Sequence, residues 1–474
     1  MLSKRNIYLL DSKKLSPETI AVIFAKTSRS PNTFHEIAAE LTDEKSSEFH
    51  QKWVLEFGHA SVAEHAILHI AIENISRLAV ETLESNRLAS YTEKSSRYQV
   101  WDATSFYVPA ELKRHPLEKL YRATCQMLFR AYQEALPILK ETARQEMNRR
   151  TSESDKGWQR RVHTNCMDVC RYYLPAASLA NVGVTINARA LVNALRKMLS
   201  HPLLEVREMG EEIKSIAQCK LPTLVKYADE NTCLKRVRIF MTQINRTKNI
   251  DQQQGKDWCH VIHFDAEYEE RIFVALLYRF NEMSYAQSQS AMEQFSFEQK
   301  QGIVKNLLEN CGEHDVPLRE LEHSWLTFDI LLDQGAYFEF KRHRMMTQTP
   351  QRLTARLGYA IPKLIHTAGL EKQYRRVMDE VQEVYEEFFT FNPDIAAYIV
   401  PNGFNRRVLA TLNFRTAMHL IKLRSAPNAH FAMRRVACRI AEEVCQRSSL
   451  FKKYLTTCSE ETWQEIENMY FVQI

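Results

Sequence analysis

The stretch IYLLDSKKLSPETIAVIFAKTSRS (residues 7–30) has a counterpart about half the chain further on, VIHFDAEYEERIFVALLYRFNEMS (residues 261–284). Each begins with an apolar run that ends in an aspartate, Asp11 in the first and Asp265 in the second. Apolar residues at helical spacing follow both aspartates. A similarity with so long a period predicts two copies of one domain rather than a stack of short repeats.

Further landmarks recur in the same order in both copies. Glu64-His65 and Glu322-His323 each lead into alternating apolar positions, which predict a half-buried strand. Those positions are Leu68, Ile70 and Ile72 in copy one, and Leu326, Phe328 and Ile330 in copy two. After each strand we expect a helix, which ends near Arg87 in copy one and near Arg344 in copy two. Later, Leu174-Pro175 and Val400-Pro401 each precede an Asn-x-Arg motif.

These landmarks divide the chain into a first domain at residues 1–240 and a second at 258–474. The polar stretch NRTKNIDQQQGKD (residues 245–257) places the linker at about 240–257. Copy one carries the basic insertion MNRRTSESDKGWQRR (residues 147–161), which predicts an exposed loop. The mixture of helical periodicity and short alternating runs predicts an α+β fold, with several helices and a small antiparallel sheet in each copy.

The composition, 45% apolar and 26% charged, is typical of a soluble globular protein. The sequence contains no apolar stretch long enough to predict a membrane helix or a secretory signal, so we expect a cytoplasmic protein. Its 10 cysteines lack paired spacings, so we expect no disulfides. Cys166 and Cys170 beside His163 could suggest a metal, but a helical pattern there favours packing, and we predict no metal site. A net charge of +5 favours small anionic ligands, and a nucleic-acid partner is not expected.

Only 11 glycines are present, and none forms a dinucleotide-binding or P-loop motif. Phosphates would therefore need side-chain donors. The stretch SNRLASYTEKSSRYQ (residues 85–99) concentrates hydroxyls and arginines, which suits an oxyanion, although a solvated loop has the same composition. In copy two, FKRHRMMTQTPQR (residues 340–352) places Arg342, His343 and Arg344 in a row, as a binding surface or a surface basic cluster would.

These motifs together resemble the flavin-dependent thymidylate synthases. That family has an Arg-His-Arg triplet followed by Ser-x-Arg-Tyr, with Gly-His and Glu-His pairs upstream. Copy one resembles it over nearly its whole length, through Gly58-His59, Glu64-His65, Arg87, Glu93, Ser95, Arg97, Tyr98, Arg171, Pro175, Asn187, Arg189 and Asn193. Copy two is more remote and matches at Glu322-His323, Arg342, His343, Arg344, Pro401, Asn413, Arg415 and Arg424.

The resemblance implies reductive methylation of dUMP to dTMP, with carbon from methylenetetrahydrofolate and a hydride from NADPH passed through FAD. The residues implied as flavin contacts are His59, Arg342, His343, Arg344, Asn187, Arg189, Asn413 and Arg415. Those implied for dUMP are Glu93, Ser95, Ser96, Arg97, Arg171 and Arg424, with Ser95, Arg97 and Glu93 closest to the chemistry. The resemblance also implies a homodimer of tandem chains, in which four domains imitate the tetramer of the family.

Each copy departs from the family pattern at different places. Copy one has Ser85-Asn86 in place of the first two triplet residues, and the region of Lys197-Met198 replaces the later phosphate arginine. Copy two has Arg352-Leu353-Thr354 in place of Ser-x-Arg, and Ala397 in place of Arg171. Because the losses hardly overlap, we predict one composite site formed by the loop of copy one and the triplet of copy two.

One further departure concerns the substrate. Glu339 stands where the family commonly has a glutamine near the phosphate, and its carboxylate would repel a dianion. Two alternatives to the thymidylate synthase therefore stay open. The first is a related flavin enzyme that acts on another nucleotide or a pterin. The second is a non-catalytic protein that binds a nucleotide or nucleic acid.

Overall fold

A computed structural model describes residues 6–56, 58–246, 257–312, 315–455, 457–458 and 460–473. The helices and strands of copy one are α1 (Pro17–Lys26), α2 (Phe34–Glu40), α3 (Asp43–Phe49), β1 (Ile67–Ser76), α4 (Arg77–Glu84), β2 (Ala89–Glu93), α5 (Leu117–Glu146), α6 (Asp155–Cys170), β3 (Leu179–Asn187), α7 (Ala188–Leu199), α8 (Leu204–Gln218) and α9 (Thr232–Arg246). A π-helical segment, His50–Glu56, extends α3.

Those of copy two are β4 (Cys259–Phe264), α10 (Tyr268–Phe280), α11 (Tyr285–Glu293), α12 (Phe297–Leu308), β5 (Leu326–Asp333), α13 (Gln334–Phe340), β6 (Thr347–Pro350), β7 (Ile361–Pro362), α14 (Lys363–Thr367), α15 (Glu371–Phe391), α16 (Pro393–Ala396), β8 (Asn405–Leu412), α17 (Phe414–Arg424), α18 (Phe431–Gln446), α19 (Trp463–Tyr470) and β9 (Phe471–Gln473). Single turns of 3-10 helix at Ala60–His65 and Arg319–Glu322 carry the two Glu-His pairs.

The chain forms two compact units, each assembled from several stretches. The first unit consists of Met1–Ser95, Ser105–Arg122 and Ala177–Gln252. The second consists of Ser96–Thr104, Ala123–Ala176 and Gln253–Ile474. The second unit therefore contains parts of copy one, among them Arg97 and α6, together with the described part of copy two.

The first unit contains a three-stranded antiparallel sheet in the order β1-β3-β2. Ile67 lies opposite Asn187, and Tyr91 lies opposite Val184. Alternate residues of β3 are buried, as expected for a sheet that packs on one face only. The core under this face receives the apolar sides of α4, α7 and α8, including Val80, Leu195 and Val206.

The second unit repeats this arrangement in the order β4-β5-β8-β6. Leu326 lies opposite Leu412, and Thr347 lies opposite Thr411. The part β5-β8-β6 corresponds to β1-β3-β2, with β4 added at the edge, and in each sheet the inner strand β3 or β8 leads directly into the Asn-x-Arg motif. The prediction of two α+β copies with antiparallel sheets is confirmed, and so are the predicted strands at Leu68–Ile72 and Leu326–Ile330.

Equivalent caps align the two copies residue by residue. The hydroxyl of Ser76 accepts a hydrogen bond from the Ala79 amide, and the carboxylate of Asp333 accepts one from the Ala336 amide, so the two residues cap the helices that follow β1 and β5. Ser85, Asn86 and Arg87 stand at the same distances from Ser76 as the Arg342-His343-Arg344 triplet from Asp333. The fold therefore places Ser85 and Asn86 of copy one at the positions of the first two triplet residues, as the sequence alignment of the two copies had it.

The sequence-based boundaries needed three corrections. The insertion at 147–161 is only partly a loop, because α6 begins at Asp155, where the Ser154 hydroxyl accepts from the Gly157 amide at 3.1 Å. The helices expected to end near Arg87 and Arg344 end earlier, at Glu84 and Phe340. Residues 240–246 of the proposed linker belong to α9, and residues 247–256 lie outside the described residues.

The buried thiols of α6 have packing contacts of the kind that the sequence favoured. The Cys166 thiol donates to the Leu136 carbonyl and the Cys170 thiol to the Tyr132 carbonyl. Burial raises the pKa of Cys166 to about 12, so this thiol stays protonated at neutral pH. Across the described ranges, no helix is both long and apolar enough to span a membrane.

Candidate functional site

A cluster of opposite charges lies in the second unit, and we call it the Glu339 cluster. It consists of Arg97 and Asp168 from copy one with Glu339, His343 and Arg424 from copy two. Arg97 donates to both carboxylate oxygens of Asp168, from Nε at 2.7 Å and from Nη2 at 2.8 Å. Paired parallel hydrogen bonds of this kind fix the plane of a guanidinium as well as neutralising it.

Glu339 bridges two arginines that come from different copies. Its Oε1 accepts from Arg97 Nη1 at 3.2 Å, and its Oε2 accepts from Arg424 Nη1 at 3.0 Å. The side chains of Arg97 and Arg424 are 16% and 14% exposed, and that of Glu339 is 5% exposed. Ion pairs this deeply buried are much stronger than surface pairs, because little water screens them.

Local structure explains why these side chains meet. Arg97 follows β2, at the start of the segment that belongs to the second unit. Asp168 lies in the last turn of α6, Glu339 in the last turn of α13, and Arg424 is the last residue of α17. An arginine at a helix C-terminus is also favoured by the helix dipole.

His343 completes the cluster as a neutral acceptor. Arg424 Nε donates to His343 Nε2 at 2.9 Å. Burial, followed by the neighbouring Arg424 and His419, lowers the pKa of His343 to about 3. The imidazole therefore carries no charge at neutral pH, and Nε2 is available to accept. The middle residue of the triplet thus orients Arg424.

The flanking arginines of the triplet point elsewhere. The triplet lies in the turn after α13, where Arg342 is exposed and Arg344 is half-buried, while His343 is buried. Burial lowers the pKa of the Arg424 guanidinium, and the nearby charges of Arg342 and Arg97 lower it further. The triplet therefore adds positive charge around the Glu339 cluster.

Arg171 lies close to the cluster but has a different set of partners. It is buried, and its Nη2 donates to the Gly335 carbonyl at 3.0 Å. Its Nε is also buried and has no hydrogen-bond partner among the described residues. Burial lowers the pKa of Arg171, while the nearby charge of Asp168 acts in the opposite direction. An incompletely bonded buried guanidinium is a site at which an anion or a water would be stabilised.

The copy-one counterparts of the cluster cannot form it. Counted from the caps, Thr82 stands at the place of Glu339, Asn86 at that of His343 and Met198 at that of Arg424. Lys197 donates instead to the Asn86 side chain at 3.1 Å. Met198, rather than Lys197, therefore replaces the later arginine, and copy one lacks both the carboxylate and the arginine.

The Asn-x-Arg motifs have structural contacts that are the same in both copies. Asn187 caps α7 and accepts from the Ala190 amide at 2.9 Å, and Asn413 caps α17 and accepts from the Thr416 amide at 2.8 Å. Arg189 pairs with Glu64 at 2.5 Å. Arg415 pairs with Glu322 at 2.6 Å. Each Glu-His landmark is therefore tied to the Asn-x-Arg landmark of its own copy.

A cavity of about 680 Å³ opens beside this contact in the second unit. Three arginines line it, namely Arg279, Arg319 and Arg415, with His323 and the carboxylates of Glu320 and Glu322. Both oxygens of Glu320 accept from Arg279, at 2.8 and 2.9 Å. The lining has more cations than carboxylates, so it suits an anionic ligand such as a pyrophosphate.

The remaining predicted site residues lie in the first unit, except Ser96, which is buried in the second. Glu93 forms a buried ion pair with Arg77, with 2.9 Å between Oε1 and Nη1. His59 is exposed, with its ring centroid 5.9 Å from that of Trp53. Ser95 lies two residues after the end of β2 and is half-buried.

Two residues of the site were not predicted from the sequence. Asp168, the bidentate partner of Arg97, lies one helical turn before Arg171. An acidic residue at that spacing from a predicted phosphate-binding arginine could have marked Asp168 as part of the site. His430 is fully buried, and burial followed by the charges of Arg171 and Arg97 lowers its pKa far below the usual range. It precedes α18 at the Asn-Ala-His sequence, and no motif marked it.

Comparison with known proteins identifies the family. The profile of the family described as "Thymidylate synthase complementing protein" matches residues 9–223 and, separately, residues 267–448. The chain belongs to this family. The two separate matches also confirm that it contains two tandem copies of the thymidylate synthase complementing domain.

Relatives of this chain fall into two groups. A UPF0159 protein of Chlamydia muridarum is 28% identical over 433 residues, which is 88% of this chain and 82% of that protein. A UPF0159 protein of Thermoplasma acidophilum is 25% identical and covers 85% of this chain and 87% of its own length. A flavin-dependent thymidylate synthase of Clostridium tetani is 27% identical but covers only 45% of this chain, with 82% of its own length.

Among solved structures, the chain is similar to a flavin-dependent thymidylate synthase of Helicobacter pylori complexed with FAD and dUMP. The identity is 21% and the TM-score 0.31, over 45% of this chain and 96% of that one. The Clostridium tetani relative thus matches less than half of this chain, whereas the two UPF0159 proteins match 85% and 88% of it.

Proposed function

We propose that this chain is a flavin-dependent thymidylate synthase with a composite substrate site, which methylates dUMP reductively to dTMP. The observation that supports this most strongly is the Glu339 cluster, because it joins Arg97 of copy one to His343 and Arg424 of copy two. Each copy lacks the part that the other retains. In this proposal methylenetetrahydrofolate donates the carbon and NADPH the hydride, in the cytoplasm and without a nucleic-acid partner.

Arg97 and Arg424 are the proposed phosphate contacts, with Ser95, Ser96 and Arg171 as further donors. Guanidinium groups suit this task because they present several N–H donors in a fixed plane. Asp168 and His343 hold the two guanidiniums in place through the hydrogen bonds described above. Glu93, ion-paired to Arg77, is proposed to orient the pyrimidine rather than the phosphate.

The residues present are compatible with a flavin. The cavity beside Arg415 has an excess of cations, and Arg342 and Arg344 supply further charge after α13. We propose these three as contacts of the flavin phosphates within the second unit. His59 and Arg189 belong to the first unit, and we propose them as flavin contacts on the resemblance to the family alone. Asn187, Asn413 and His343 would contribute by positioning helices and Arg424. FAD, when bound, supplies the hydride carrier for the reaction.

A first experiment measures flavin binding. The purified full chain is expected to bind FAD, and Arg342→Ala is expected to weaken this binding about ten- to hundredfold, because one charge-assisted contact to a pyrophosphate is lost. Arg87→Ala, at the corresponding place of copy one, is the matched control and should have a smaller effect. Equal affinities for FAD in both variants would contradict the assignment of the triplet.

A second experiment measures thymidylate synthesis. Expression of the chain should restore growth of a thymidine-requiring bacterium, and Ser95→Ala should reduce both this rescue and dTMP formation in vitro while FAD remains bound. Thr354→Ala, at the place in copy two that is aligned with Arg97, is the control and should change little. If the wild-type chain binds FAD but makes no dTMP, the proposed reaction is wrong.

One observation favours a second candidate function. Glu339 already neutralises the two arginines that would receive a phosphate. A related flavin enzyme acting on a less charged nucleotide or a pterin would need no free anion site there, and neither would a non-catalytic binding protein. Flavin binding without rescue supports the related enzyme, and nucleotide binding without flavin supports the binding protein.

A further inference from the structure

We infer that Glu339 is a specificity-determining residue whose carboxylate acts as a resident anion between Arg97 and Arg424 and competes with the phosphate of the ligand. This inference rests on the composite site proposed above and concerns its choice of substrate. A dianionic phosphate that binds the same two Nη1 donors, of Arg97 and Arg424, must displace the carboxylate. The carboxylate therefore lowers the affinity of the site for phosphorylated ligands, dUMP included, without lowering that for the uncharged nucleoside.

The geometry of the arginines supports competition for one place. Asp168 holds Arg97 through Nε and Nη2, whereas Nη1 of the same guanidinium is directed at Glu339. His343 holds Arg424 through Nε, and Nη1 is again directed at Glu339. Two fixed guanidiniums thus converge on the two oxygens of a single carboxylate, which is the arrangement that also binds a phosphate.

The charges support the same conclusion. Within the Glu339 cluster, the two arginines are balanced by the carboxylates of Asp168 and Glu339, and His343 is neutral. An incoming phosphate therefore meets no net positive charge from these five residues while Glu339 stays in place. Replacing Glu339 by glutamine leaves the side-chain length and one acceptor oxygen unchanged but gives the cluster a net positive charge. Attraction for an anion inside a weakly screened site should then increase strongly.

A comparison within the chain shows that the carboxylate and the arginine occur together. Copy one has Thr82 and Met198 where copy two has Glu339 and Arg424. The Thr82 hydroxyl donates to the Leu78 carbonyl at 3.4 Å, as an ordinary helix side chain does. A purely structural ion pair would also explain this joint occurrence, but it makes a different prediction. If the pair is only structural, Glu339→Gln should weaken the fold without increasing the affinity for phosphate.

The test uses the full chain and isothermal titration calorimetry with three probes: inorganic phosphate, dUMP and deoxyuridine. Glu339→Gln should bind phosphate and dUMP at least tenfold more tightly than the wild type, with the affinity for deoxyuridine changed by less than about twofold. Glu386→Gln, which removes the carboxylate of an ion pair with Arg356 elsewhere in the second unit, is the control and should leave all three affinities unchanged. Arg424→Ala in the Glu339→Gln background should abolish the gain.

Unchanged or weaker phosphate affinity in folded Glu339→Gln would overturn the inference. If that variant does not fold, as judged by circular dichroism, Glu339→Thr places the copy-one residue at the same position and provides the same comparison. The outcome also separates the two proposals. If phosphate affinity increases but no variant makes dTMP, the inference stands and the proposed reaction fails. If the wild type makes dTMP and Glu339→Gln gains no affinity for phosphate, the proposed reaction stands and the inference fails.

Discussion

At the residue scale, His343 is the clearest case of a group that the fold keeps uncharged. Burial and the neighbouring Arg424 and His419 lower its pKa from 6.5 to about 3. In the unfolded chain the imidazole takes up a proton at about pH 6.5, so the unfolded state binds more protons than the folded state below that pH. The free energy of unfolding therefore decreases as the pH falls from about 6.5 towards 3, by at most about 1.4 kcal/mol per pH unit from this residue.

His343→Gln should remove that part of the pH dependence. We expect the melting temperature of the variant to fall less steeply than that of the wild type between about pH 6.5 and 4, when both are followed by circular dichroism. Some dependence should remain, because His430 is also buried and has a strongly lowered pKa. His260→Gln, at an exposed position of β4, is the control and should retain the wild-type slope. Parallel curves for the wild type and His343→Gln would show that the folded protein does not lower the pKa of His343.

Asp168 allows a second prediction at the same scale. Asp168→Asn removes the charge that holds Arg97 and leaves a buried guanidinium only partly neutralised. Breaking a buried ion pair by removing one partner typically costs about 3 kcal/mol or more. We expect a loss of that size in the free energy of unfolding by urea. Glu386→Gln, which breaks a more exposed pair, should cost less than about 1 kcal/mol. Equal losses would contradict a special role for the Arg97–Asp168 pair.

At the scale of secondary-structure elements, the two Asn-x-Arg motifs begin equivalent helices. Asn187→Ala and Asn413→Ala should each reduce stability by about 1 kcal/mol, because one amide at the start of α7 or α17 loses its acceptor. Asn187→Asp and Asn413→Asp retain an acceptor oxygen and should stay close to wild type in urea unfolding. If the aspartate variants are as unstable as the alanine variants, the asparagines have a role other than capping.

The sequence predicted well those secondary-structure elements in which periodically spaced apolar residues face a core. The strands at β1 and β5 were found from alternating apolar residues, and the burial of Leu326, Phe328 and Ile330 follows that alternation. The start of α6 was missed because its first turns are polar and basic. Those turns are stabilised locally, by the Ser154 cap and by an ion pair between Glu153 and Arg161, rather than by a buried apolar face.

At the scale of the whole molecule, the sequence indicated which residues the two copies had lost but not how the remaining ones pair. Arg97 and Glu339 are far apart in the chain, and no local pattern connects them. Their contact depends on α6, α13 and α17 ending at the same place in the second unit. The ion pairing of both arginines with Glu339 could therefore be recognised only in the fold, although the glutamate itself was visible as a departure from the family.

Helix α9 of the first unit carries a surface that predicts how the chain assembles. This helix exposes an apolar stripe formed by Val237, Phe240, Met241 and Ile244. These four exposed side chains are neighbours on one face of the helix, and a contiguous exposed apolar patch of this kind marks an interaction site more often than a single exposed side chain does. Closed twofold dimers are the commonest oligomers, and in them one surface pairs with its own copy. We therefore expect a homodimer in which α9 packs against the second chain.

Light scattering at micromolar concentration should give a mass about twice the 55.5 kDa of one chain. Phe240→Glu should shift the protein towards the monomer, since it places a charge in the apolar stripe, while the melting temperature should change little because the side chain is exposed. Thr242→Glu, on the opposite side of α9 where it lines a groove with His201, adds the same charge outside the stripe and should remain dimeric. A monomeric wild type with full FAD binding would exclude the dimer, and a dimeric Phe240→Glu would place the interface away from α9.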